Sequence, residues 1–409
     1  MILNTNFVRK QFPALNGDWV FLDNAGGTQV AQQVVSNIND YLINTNVQLG
    51  ASYEVSQQSG SRVDSSQQRW AEAINAKHTE EVIFGSSTTA LLQNLSRSMV
   101  QNFALGDEVI VTNCDHEANI GPWVNMKKYG IEVKIWNINP ETFALELEDL
   151  EKLMTDKTRL VAFTLVSNIL GTINPVKEIT EFINERGAMV CVDGVAYAPH
   201  RLIDVQLWDV DFYAFSIYKV YGPHYSLLYG KKEILDKLPG INHFFIEKND
   251  VPYKLQPGNV NYELTYGCGG VLDYFDNVYS THYGEASLPP KTKYARVFDL
   301  IAQHEEELAT PLIDFLNQKN GIKIIGEASA SKAIRVPTIS FTVANRKSSE
   351  IPLLVDSYKI GIRWGDFYAR HLIDDLNLSD NDGVIRISMV HYNTVEEIER
   401  TIEVLDRIL

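Results

Sequence analysis

The stretch "AMVCVDGVAYAPHRLIDVQLWDVDFYAFSIYKVYGPHYSLLYG", residues 188–230, decides the fold. Three runs in it, 188–194, 211–216 and 225–230, are apolar nearly throughout and rich in Val, Phe, Tyr and Leu. Strands covered on both faces read this way, as in a parallel or mixed sheet held between helix layers. Outward from it, "EVIFG" (81–85), "DEVIVTN" (107–113), "EVKIWNI" (132–138) and "RLVAFTLVS" (159–167) repeat the pattern. Between them "TTALLQNLSRSMVQNF" and "VKEITEFINERG" place apolar residues at helical spacing. Alternating strands and helices predict an α/β sheet domain.

Past about residue 285 one long helix is expected over "KTKYARVFDLIAQHEEELATPLIDFLNQKNG". Strands are expected at "TISFTV", "GIRWG" and "VIRISMV", and a closing helix opens on a capping box, Thr394 with Glu397. This predicts a second, smaller α/β domain over 286–409, a large domain over 21–285, and an N-terminal segment, 1–20, packed with the small domain.

Composition narrows the function. Of 409 residues, 36 are Lys or Arg and 52 Asp or Glu, a net charge of -16 with the acids scattered. Nucleic acid and anionic membrane are not expected partners, because both call for a basic patch. Cys114, Cys191 and Cys268 are far apart, with no C-x-x-C spacing, so neither a disulfide framework nor a metal cluster is expected. No signal peptide and no apolar run of roughly 18 residues is read, and a cytoplasmic protein is expected. Neither a dinucleotide fingerprint nor a P-loop occurs; "GCGG" at 267–270 has the wrong spacing.

Polar residues gather instead at the C-terminal ends of the expected strands, where α/β sheets build their sites. Ser86, Ser87, Thr88 and Thr89 stand where a strand yields to a helix, either as a phosphate seat or as plain helix caps. His116 and Asn168 each follow a strand; His116 is either structural or catalytic. Asp193 ends a very apolar strand and implies a cation or donors to receive it, as a site carboxylate, an N-cap or an ion pair. Lys219 follows 26 residues later, either solvated at a strand end or desolvated and nucleophilic. An imine-forming lysine, a carboxylate for a ring nitrogen and a helix-start phosphate seat together are the parts that pyridoxal phosphate requires. Arg363 and Arg386 offer either a clamp for a substrate carboxylate or surface ion pairs.

The ordered motifs "VFLDNAGGTQVAQQVV", "STTALLQNL", "CDHEANIGPW", "VSNILGTINPVKEI", "VDGVAYAPHRLIDVQLWDVDFYAFSIYKVYGP" and "RISMVHYNTVEEIER" resemble those of class V aminotransferases, in the cysteine desulfurase-like branch. The resemblance implies a fold-type I enzyme with a large, mostly parallel seven-stranded sheet domain and a smaller α/β C-terminal domain. It implies pyridoxal 5'-phosphate as cofactor, an amino acid or amine as substrate, and a homodimer with shared active sites. Lys219 would be the Schiff-base lysine, Asp193 would hold the ring nitrogen protonated, and His116 would stack on the ring. Thr88, Thr89 and Ser216 would bind phosphate, Tyr218, in place of the family's His, keeps a hydroxyl able to donate to it, and Asn259, in "LQPGNVNYE", would approach the partner's phosphate. Asn168 would lie near ring or substrate, and Arg386, with Arg363, would take the substrate carboxylate.

Three departures from the family pattern stand out. Its nucleophilic cysteine is missing from the loop "RWGDFYARHL", where Tyr368 stands near the corresponding place; Ala196 replaces a usual Gln, and Tyr218 a usual His. Carbon–sulfur lyase chemistry without a cysteine nucleophile is therefore expected, with transamination, epimerisation or decarboxylation as alternatives. A non-catalytic binding protein on the same fold is the further alternative.

Overall fold

The computed structural model describes residues 1–284 and 288–409. The domain boundary expected at 285 falls on 285–287, outside the described residues. Among the described residues the strands are β1 (Val20–Phe21), β2 (Val82–Gly85), β3 (Glu108–Thr112), β4 (Glu132–Trp136), β5 (Thr158–Thr164), β6 (Met189–Asp193), β7 (Phe212–Ser216), β8 (Ser226–Gly230), β9 (Ile322–Ile325), β10 (Thr338–Val343), β11 (Ile360–Gly361), β12 (Arg363–Gly365) and β13 (Val384–Ser388).

Seven of them form one sheet in the order β2-β8-β7-β6-β5-β3-β4. The pairs from β7 to β4 are parallel, and β8 runs antiparallel to both its neighbours, β2 and β7. Every residue of β3, β7 and β8 is buried, because helices cover both faces. The strand expected at 132–138 departs from that pattern: β4 is the sheet edge, and Glu132 and Ile135 are exposed. Charge on an edge strand discourages pairing with another chain.

A second, antiparallel sheet has the order β12-β13-β10-β9. The strand expected over "GIRWG" is interrupted at Ile362: β11 pairs in parallel with β1, whereas β12 joins β13. The helix Pro290–Gln318 and the closing helix Val395–Ile408 pack together over this sheet, the latter with the expected Thr394–Glu397 capping box. From the N-terminal segment, Arg9 donates to the carbonyl of Tyr392 at 2.9 Å and to Glu397 at 2.8 Å.

"GCGG" has a packing role. It lies in the helix Tyr262–Tyr283, which rests on the helix Gln32–Asn44. A Cβ on Gly270 would sit 2.6 Å from the backbone nitrogen of Val34, so only glycine permits this approach. No helix among the described residues is long and apolar enough to cross a membrane.

Candidate active site

The C-terminal ends of β2, β3, β5, β6 and β7 converge on an open cavity of about 520 Å³. Thr88, Thr89, His116, Asn168, Asp193, Ser216, Tyr218 and Lys219 all line it, together with Ser87, Thr164 and Ala196. Eight of the eleven site residues expected from the sequence are thus brought together. The other three lie elsewhere. Arg386 donates to the carbonyl of the lining residue Asn168, Arg363 is its register partner on β12, and Asn259 lines an adjacent cavity of about 640 Å³ with Ser86, Tyr225 and Gln256.

Local geometry explains each position. Ser87 caps the helix Thr88–Met99 by accepting from the backbone N–H of Ala90 at 3.1 Å. Thr88 Oγ1 lies 2.8 Å from Ser216 Oγ and 3.3 Å from Ser226 Oγ, so three hydroxyls cluster at a helix start. Unpaired amide donors and the helix dipole make such a place favourable for an anion.

Asp193 is buried at the end of β6, and its Oδ1 accepts from Val195 N–H at 2.8 Å. Burial pushes its carboxyl up to about 6, against the opposing pull of that N–H and of Lys219. Behind it lies Asp115, which the sequence reading passed over although it too ends an apolar strand region. Asp115 accepts from Asn119 Nδ2 at 2.7 Å, from Thr164 N–H at 2.9 Å and from the Thr112 hydroxyl. Burial, then the charge of Asp193, pushes Asp115 up to about 8.

Lys219 ends a short 3₁₀ turn, Ile217–Lys219, and is 7% exposed. The turn is tied to the N-terminal loop: the Tyr218 carbonyl accepts from Thr28 N–H at 3.2 Å and from its hydroxyl at 3.1 Å. Burial, reinforced by Arg386, lowers the Lys219 ammonium to about 8 despite Asp193 and Asp23. It is the desolvated lysine of the two alternatives, not the solvated one.

Burial also lowers His116 to about 4, helped by the charges of Lys219 and Arg386. Its Nδ1 accepts from Ala118 N–H at 3.0 Å, so the neutral ring carries its proton on Nε2. Tyr368, 72% exposed, brings its ring centroid 5.3 Å from that of His116. Tyr218 stacks on His224 with centroids 4.9 Å apart, an arrangement nothing in the local sequence signals.

Asn168 donates from Nδ2 to the Phe367 carbonyl at 2.9 Å, while its buried Oδ1 has no partner. The Arg386 side chain is 2% exposed, which excludes a surface ion pair for it. It donates to the Asn168 carbonyl at 3.1 Å and to Asp23 at 2.9 Å, and its buried Nε has no partner. Unpaired buried polar atoms are costly, and two beside one cavity mark places where a ligand atom would be received. Arg363, half exposed, pairs with the other oxygen of Asp23 at 3.2 Å. Cys114, Cys191 and Cys268 are buried, and burial raises all three thiols far above their ordinary value.

The family profile of aminotransferase class-V matches residues 20–401. The aminotransferase-like protein FGM3 of Gibberella zeae is 46% identical, with 98% of each chain covered. The cysteine desulfurase-like protein ustD of Aspergillus flavus is 30% identical over all of this chain and 91% of its own. Among solved structures, the cysteine desulfurase CsdA from Escherichia coli is 25% identical with a TM-score of 0.84, covering 100% of this chain and 98% of that one. With a matched profile across most of its length, full-length relatives and this sheet order, the chain belongs to the class V aminotransferases, fold-type I pyridoxal phosphate enzymes, in their cysteine desulfurase-like branch.

Proposed function

We propose that the protein acts on an amino acid or related amine as a carbon–sulfur lyase that uses no cysteine nucleophile, as a homodimer with shared active sites. The observation that carries this reading is the pairing of a desolvated Lys219 with a buried Asp193 in one cavity, in a chain whose every thiol is buried.

The residues fit pyridoxal phosphate. The Thr88 and Ser216 hydroxyls, lining the cavity at a helix start, suit its phosphate, and Asp193 suits its ring nitrogen. When bound, the cofactor supplies a carbonyl that condenses with amines and a cationic ring that draws electron density from a bond at Cα. Lys219 holds the cofactor and then takes or returns the proton at the substrate Cα, for which an amine titrating near neutrality is suited. Asp193 keeps the proton on the ring nitrogen. His116, which burial keeps neutral above about pH 4, would lie against the ring without adding charge. Tyr218 and Thr89 complete the phosphate seat, and Asn259 serves the partner subunit's phosphate. Arg386, whose Nε is unpaired, receives the substrate carboxylate with Asn168 and Arg363 beside it.

Two measurements follow from this chemistry. Lys219 is about one-tenth neutral at pH 7 and nine-tenths at pH 9, so cofactor uptake by apoprotein rises about tenfold over that interval. An ordinary lysine would give a rise of roughly a hundredfold, and observing that would contradict the desolvated amine. With L-cysteine, holoenzyme releases pyruvate, ammonia and sulfide in equal amounts, and prior treatment with iodoacetamide leaves the rate unchanged because no thiol is accessible. Alanine and transferable sulfur, lost on alkylation, would overturn the reading. A keto acid formed without sulfide would favour transamination, the activity suggested by the name of the Gibberella zeae relative.

A further inference from the structure

Asp23, two residues past β1, holds the two arginines together. Its Oδ1 accepts from Arg386 Nη2 at 2.9 Å and its Oδ2 from Arg363 Nη1 at 3.2 Å. The two arginines are register partners across β12 and β13. The loop closes directly over them: a Cβ on Gly26 would lie 3.0 Å from Asp23 Oδ2 and 3.1 Å from Arg363 Nη1. Ala25 N–H and the Asn24 amide anchor the same loop to Ser388, at 2.8 Å and 2.9 Å. The Arg386 guanidinium carbon lies over the Phe367 ring, 3.7 Å from its centroid.

Charge counting gives this cluster a definite capacity. Two guanidinium groups and one carboxylate leave one positive charge, and one buried donor, Arg386 Nε, is unpaired. One incoming carboxylate neutralises the cluster; a second acidic group would meet Asp23 already on the arginines. We propose that Asp23 is a specificity-determining residue that sets the site to one carboxylate and disfavours substrates bearing a second acidic group. This rests on the reading that Arg386 receives the substrate carboxylate. Specificity of this kind comes from a repulsive element as much as from the attractive one.

The test compares propionate and succinate binding to holoenzyme, by calorimetry and by perturbation of the visible band. Asp23→Asn shifts the affinity ratio toward succinate by about tenfold, since the surplus becomes two positive charges. Arg363→Gln shifts it away from succinate, and the double variant returns to within about threefold of the parent ratio. An unchanged ratio in a folded Asp23→Asn protein, a double variant that does not return, or no binding of either acid by any variant overturns the proposal. If Asp23→Asn does not fold, Arg363→Gln alone decides by the direction of its shift. Failure of the cofactor reading is seen separately, as a protein without a visible band before any acid is added.

Discussion

Lys219→Ala abolishes the visible absorption of the reconstituted protein and lowers turnover by at least about ten-thousandfold. Two functions are lost at once: the covalent hold on the cofactor and the proton carrier at Cα. The site around the residue stays assembled, because Asp193 is fixed by Val195 N–H, His116 by Ala118 N–H and Thr88 by Ser216, none of which involves the lysine side chain. Losing the ammonium removes one of the two groups that favour the Asp193 carboxylate, and the Val195 N–H remains to hold it in place. An unchanged circular dichroism spectrum with an absent band is therefore the expected pair of observations. A variant that keeps the band, or keeps more than a few per cent of the parent rate, would mean that another group carries the chemistry.

Asp193→Asn is expected to lower turnover by about a thousandfold while retaining cofactor. Asparagine keeps the size and can still accept the Val195 N–H, but it carries no charge to hold a proton on the ring nitrogen. The pH profile provides an independent signature. Burial raises Asp193 to about 6, so the parent enzyme loses its carboxylate, and with it activity, as pH falls through about 6 or below. The variant lacks that acidic limb, because it has no carboxylate to protonate. A thousandfold loss with the limb intact would assign the limb to another residue, Asp115 being the neighbouring carboxylate.

Part of this site is legible in the sequence because Asn168, Asp193 and Lys219 each follow an apolar strand, and the parallel arrangement of β5, β6 and β7 brings those ends to one edge. Strand ends single out Asn168, Asp193 and Lys219 as candidates, whereas Ser216 enters only through the family resemblance. Residues whose partners lie far along the chain are not legible in this way. Asp23 follows a strand of two residues, and nothing near it signals Arg386, 363 positions later. Asp115 carried the same signal as Asp193, an acid closing an apolar run, and was hidden beside His116. Sequence periodicity gives no expectation for the helices Gln32–Asn44, Glu54–Ala73 and Tyr262–Tyr283. The last is buried on several sides and interrupted by glycines whose purpose appears only against the Val34 backbone. The Lys219 stretch points to the cofactor only together with Asp193, His116 and the Thr88–Thr89 seat, whereas Tyr218 finds its stacking partner, His224, only in three dimensions.

On the proposed chemistry, pyridoxal phosphate is carried on Lys219. Borohydride reduction of the purified holoenzyme, followed by proteolysis and mass spectrometry, tests it directly. A pyridoxyl group is expected on the peptide containing "SIYKVYGPHY", at Lys219 and at no other lysine. Label on a different lysine, the buried Lys254 included, or no label on a protein that retains its cofactor, would contradict it.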